Sequence, residues 1–282
     1  MKPNLIAPAM LAIASLVTVG ALAQAPDPAS GAAKASTLTP GQATAPAGGS
    51  ANPATPRPRP RDDAPHGPTP RLPDGHPDLS GIWNGGGPVG DLAQGLAPGE
   101  SIPLLPAAKV IMDQRQSKDD PEANCLPTGI PRIAPYPWRI VQDSTHIYFL
   151  FEGNIHSFRQ IFMDGRKHPA DPDPTWYGHS IGSWDGDTLV VDTVGFNDKF
   201  WFDFRGHPHT EQLHTIERYT RKDLGTLENK VTIIDPGDYS KPFTLTFTAR
   251  LRPKEELMEY ICQENQQDSQ HMKGSAGLPL NP

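Results

Sequence analysis

Beyond its first 22 residues the chain has no apolar run long enough to cross a bilayer, which excludes a helical membrane protein for the remainder. Cysteine is scarce. Only Cys125 and Cys262 occur, and no CxxC pair is formed, so thiolate metal cages and dithiol redox centres are excluded. Basic charge is not in excess: 25 Lys and Arg stand against 32 Asp and Glu, and the net charge of −7 argues against nucleic acid as a partner. There is no GxSxG elbow, no phosphate-cradling glycine loop and no HExxH, which removes the commonest hydrolase, nucleotide and zincin readings.

The first segment has the order of a secretory signal peptide: Lys2, an apolar run from Leu5 to Leu22, then Ala21-Leu22-Ala23 before Gln24. Residues 1–23 are therefore expected to be removed on export, giving a periplasmic or secreted protein with no transmembrane segment. No cysteine follows the run, which argues against a lipid anchor. Residues 24–70 are mostly Ala, Pro, Gly, Ser and Thr and lack the side chains that could offset ordering entropy, so a disordered Pro/Ala-rich linker is expected there. Residues 71–265 are long enough to bury a core, and 266–282 read as a flexible tail. In an exported chain Cys125 and Cys262 are most simply a disulfide, two buried thiols being the alternative.

The periodicity between 146 and 264 is mostly two. HIYFLFE (146–152), NIHSFRQIFMD (154–164), HSIGSW (179–184), DTLVVDTVGF (187–196), LHTIERYTR (213–221), ENKVTIID (228–235), KPFTLTFTARL (241–251) and LMEYICQE (257–264) all read as strands. Asp164-Gly165 and Asp185-Gly186 supply turn positions, the second a hairpin signal. One short helix is expected at 106–116, with Ala107, Val110, Ile111 and Gln114 on one face. The expected fold is all-β, an antiparallel barrel or sandwich with long loops. Gly81-Ile82-Trp83 after an unstructured lead resembles the GxW entry of lipocalin and calycin barrels, which implies a tryptophan plugging one barrel end.

PDGHPDLSGIW, NCLPTGIPR, the block from DGRKHPADPDPTWYGHSIGSW through DTVGFND, GHPHTEQLHTIER and EYICQEN together resemble a family of uncharacterised exported bacterial proteins. That resemblance implies that Arg166, His168, His179, His207, His209, Glu211, His214 and Glu217 belong to a shared pattern, and brings no activity, substrate or cofactor with it.

Histidines and carboxylates concentrate between Trp176 and Glu217, the usual groups for metal binding or proton transfer. His207 and His209, spaced i,i+2 in an extended segment, project to one face and with Glu211 form a candidate site for a divalent transition metal. A metal-free alternative uses His179, His214, Asp192 and Glu217 as acid, base and orienting groups. Arg159 and Arg166 are candidate holders of a substrate, with Trp176, Tyr177 and Trp201 as apolar walls. The plain alternative is that these side chains satisfy loop backbone and make surface ion pairs. The residues thus point to an exported enzyme of hydrolase, isomerase or lyase type acting on a small organic molecule. The competing expectation is a lipocalin-like protein that binds an organic ligand unchanged.

Overall fold

The structure is a computed structural model that describes residues 64–133, 136–153 and 157–264. The expected signal peptide, most of the expected linker and the C-terminal tail lie outside the described residues. Nine strands close into one barrel in sequence order: β1 (Gly81–Gly85), β2 (Trp138–Gln142), β3 (His146–Phe151), β4 (Phe158–Phe162), β5 (His179–Asp185), β6 (Thr188–Val194), β7 (His214–Arg221), β8 (Thr226–Ile234) and β9 (Phe243–Leu251). Between barrel and sandwich, closure decides for the barrel: β1 pairs with both β2 and β9. Among the described residues no helix is long and apolar enough to cross a membrane.

Alternation along the strands sorts side chains between the two sides of the wall. Ile140, Ile147, Phe149, Leu189, Val191, Tyr219, Val231 and Leu245 are buried, while their sequence neighbours are less so. Trp83 is fully buried, its indole N–H donates to the Leu79 carbonyl at 3.0 Å, and the Arg221 guanidinium lies 5.0 Å over its ring. It closes the end at which β7 stops and β8 begins, as the GxW entry implies. Aromatic side chains from the long loops, among them Phe196, Phe200, Phe202 and Tyr239, close the other end.

One neighbour pair departs from the antiparallel expectation. β4 and β5 run parallel and meet through Ile161↔Ser180 and Phe162↔Ile181. The chain between them, residues 163–178, is long enough for the return crossing that a parallel pair needs.

Other expectations need correction. β2 is not among the expected strands, because its short WRIVQ segment follows a proline-rich stretch that reads as loop. The 257–264 segment is not a strand: Met258, Tyr260 and Ile261 are exposed, and the free side of β9, the strand before it, is already paired with β1. It is held instead by the Cys125–Cys262 disulfide and by a 2.9 Å bond from the Met258 amide to Glu152. The helix α1 spans Pro106–Gln114, but its buried residue is Ala108, and Val110 and Ile111, on the face expected to be inward, are exposed. Part of the expected linker, 64–70, lies on the barrel: the Leu224 amide donates to the Gly67 carbonyl at 2.9 Å, and Thr69 Oγ1 to the Arg221 carbonyl at 3.0 Å.

Candidate functional site

The seam between β4 and β5 opens into a groove of about 620 Å³. Its origin is local. Thr175 pairs with Phe196 beyond the end of β6, and Gly178 takes a φ of 63°, so the chain entering β5 is drawn toward β6 and away from the first half of β4. A Cβ at residue 178 would sit 2.7 Å from the Val194 carbonyl oxygen, so only glycine fits this bend. Phe158, Phe162, Trp176, Tyr177 and His179 line the groove together with Arg159. Tyr177 stacks on Phe151 with ring centres 5.3 Å apart, and its hydroxyl lies 2.6 Å from Ser157 Oγ, which fixes that wall.

Behind this wall the barrel interior is polar. Arg159 is buried; its Nε donates to Ser180 Oγ at 3.0 Å, and its Nη2 to Thr193 Oγ1 at 2.7 Å and Glu217 Oε2 at 2.5 Å. The Tyr219 hydroxyl donates to the other Glu217 oxygen at 2.6 Å. Burial opposes the charge of Arg159, but Glu217 outweighs it and holds the guanidinium above its usual pKa. Burial and then the Glu217 carboxylate push the Tyr219 phenol well above its ordinary value. Among the described residues three interior side-chain atoms have no hydrogen-bond partner: Arg159 Nη1, Thr215 Oγ1, on the residue directly across from Thr193 in the β6–β7 register, and Asn229 Oδ1, on the residue across from Tyr219 in the β7–β8 register.

On the outer face of the same wall four side chains form a chain of contacts. His179 Nδ1 lies 2.8 Å from His168 Nδ1, His168 Nε2 lies 3.1 Å from Asp192 Oδ1, and His214 Nε2 lies 2.8 Å from the same oxygen. The Phe162 ring stacks on His179 at 5.2 Å, and the Arg166 guanidinium lies 3.7 Å over Phe162.

No protein-family model and no curated protein matches the chain. A solved structure does. It is the crystal structure of a point mutant of the fluorescent protein UnaG, with 13% identity, covering 63% of this chain and 97% of that chain at a TM-score of 0.28. The barrel described above rests on its own strand pairing, and the resemblance to an exported bacterial family gains no support from these comparisons.

The structure divides the expected site residues. His214 meets Asp192 and His179 joins them through His168, but Glu217 belongs to the interior, because in β7 it stands an odd number of residues from His214 and so projects to the other side. Arg159, Trp176 and Tyr177 line the groove; Arg166 lies at its margin, paired with Asp164. Trp201 is elsewhere, buried under the Arg115 guanidinium at 4.8 Å.

The expected metal trio does not assemble. His207 Nδ1 is 2.6 Å from Asp203, His209 is wedged against Phe200 at 3.8 Å and Phe202 at 5.0 Å, and Glu211 is exposed. Burial above all lowers the His209 pKa to about 4. Among the described residues the donor atoms that do come together belong to Asp91, Asp203 and His207. Protein donors already occupy those carboxylates: Leu92 and His207 amides on Asp203, Arg205 and the Ala93 amide on Asp91.

Sequence reasoning gave no role to His168, Ser180, Thr193 and Thr215. For the last three, strand alternation places them on the side of Glu217 and was the available signal. His168 lies in an irregular crossover, where no periodicity tells which way a side chain points.

Proposed function

We propose that this protein is a binding barrel for a small aromatic ligand, seated in the β4–β5 groove and carrying an uncharged oxygen acceptor for Arg159. The observation that carries this reading is the groove walled by Phe158, Trp176 and Tyr177, with Arg159 Nη1, a buried cationic donor without a hydrogen-bond partner, on the β4 strand behind it. Leaving such a donor unmet costs on the order of 1–3 kcal/mol, which an acceptor on a ligand recovers. Glu217 already balances the guanidinium charge, so a carbonyl or amide oxygen suits the site better than a second carboxylate, whose charge would be buried without compensation. Phe158, Trp176 and Tyr177 supply the apolar walls usual for small-molecule sites.

A matched set of 2-naphthamide, 2-naphthoate and 2-methylnaphthalene tests this by titration of tryptophan fluorescence. The amide should bind about tenfold more tightly than the hydrocarbon, as a charge-assisted hydrogen bond implies. Arg159→Met should erase that difference, and Trp176→Ala should weaken all three. Equal affinities across the set, or none measurable, would overturn the reading. We also propose export to an oxidising compartment, for which N-terminal sequencing of the mature chain should give a start near Gln24.

A further inference from the structure

We propose that His179 is a general base for a planar ligand in the groove, with His168 and Asp192 as the positioning residues that fix its tautomer and share the charge it takes up. The inference rests on the groove being a ligand site and adds an activity to it.

The tautomers follow from the contacts. An ionised carboxylate only accepts hydrogen bonds, so the His168 and His214 Nε2 atoms that meet Asp192 Oδ1 both carry protons. In neutral His168 the remaining nitrogen, Nδ1, is then an acceptor. The nitrogen 2.8 Å from it, His179 Nδ1, must be the donor. His179 Nε2 is left with its lone pair, on a residue that lines the groove. Stacking on Phe162 holds the ring in that orientation.

The surroundings keep His179 in its basic form: burial first, then the neighbouring His168 and Arg166, lower its pKa. The groups that bear on it are Arg166 and His168 from the crossover, Asp173 at the groove, Asp192 on β6 and His214 on β7. When Nε2 takes a proton, the ligand keeps the bonding electron pair. The His179 Nδ1 proton can then pass to His168 Nδ1, which places the imidazolium charge beside Asp192. That order, carboxylate to orienting histidine to reacting histidine, gives a base whose proton affinity is set at a distance from the ligand.

The probe is 5-nitrobenzisoxazole. Its C3–H proton would move to Nε2, the C–H pair becomes the third bond of the nitrile, and the N–O bond breaks with its pair on oxygen, releasing a coloured nitrophenolate. His179 then returns the proton to water. Binding is followed separately with 5-nitroindazole, an unreactive planar mimic. The full-length protein should accelerate the elimination with a rate that rises with pH through one ionisation. His179→Ala should lower the rate about a hundredfold while the mimic still binds. Asp192→Asn removes the charge that stabilises the imidazolium, so the pH midpoint should fall by about one unit and the plateau rate with it. His168→Asn should also lower the plateau rate but raise the midpoint, because it removes a neighbour that lowers the His179 pKa, whereas a role confined to folding would leave the midpoint in place.

A His179→Ala protein that binds the mimic and keeps the parent rate would overturn the assignment of the base. Unmoved midpoints in both Asp192→Asn and His168→Asn would overturn the relay. If the parent fails to bind the mimic, the groove reading falls and this inference falls with it.

Discussion

Glu217 and Arg218 are adjacent in β7, and the wall of the barrel separates their fates. Glu217 is buried against Arg159, whereas Arg218 pairs with Asp185 in the open, with side-chain exposures of 43% and 67%. Glu217→Gln would leave the guanidinium buried without its counter-charge, so it should destabilise the fold by about 3–5 kcal/mol in urea denaturation. Arg218→Ala should cost about 1 kcal/mol or less in the same measurement. His209 sets a second test. Its folded pKa of about 4 lies below the ordinary 6.5, so the unfolded chain binds more protons between those values. Its contribution to stability is therefore complete above about pH 6.5 and is lost as the pH falls toward 4, by a total on the order of 3 kcal/mol. Urea midpoints against pH should show that slope in the parent and a flatter one in His209→Phe.

Among the elements, the contrast lies between the β4–β5 seam and the β7–β8–β9 meander. β8 and β9 pair from Thr226↔Arg250 through Ile233↔Phe243, whereas β4 and β5 share two residue pairs. Hydrogen exchange should accordingly be faster at the Ile161 and Phe162 amides than in β8, and ligand bound in the groove should slow it. Equal protection in both regions would contradict an open seam. The β5–β6 hairpin turns at Gly186 with φ 58°, as the Asp-Gly signal implied. Gly186→Val should cost about 1–2 kcal/mol in thermal or urea unfolding, since a β-branched residue resists that conformation. Strand periodicity was legible in β3 and β7, where alternation runs for six residues or more. It failed at 257–264, where the same alternation follows a β9 whose free side is already paired with β1.

For the molecule as a whole, the disulfide joins positions 137 residues apart, Cys125 in a loop and Cys262 past the last strand. Reduction should lower stability by up to about 5 kcal/mol on the loop-entropy account, seen as a lower urea midpoint in reductant. A midpoint unmoved by reductant would show that the denatured chain is already restricted there. Residue types and their period-two spacing determined that this chain would form a β fold, that Asp-Gly steps would turn it, that Trp83 would be buried, and that chemistry-bearing groups would crowd between Trp176 and Glu217. These are local properties, set by side-chain shape and backbone preference over a few residues. Tertiary structure alone decided that β9 would close onto β1, that β4 and β5 would part and leave a groove, and that the histidines would separate into a hydrogen-bonded row on the barrel wall and a buried pair in the loops. It alone joined His168 to His179 and Arg159 to Glu217. Those pairings depend on register and on the path of the 163–178 crossover, and neither is encoded in the spacing of the residues that meet.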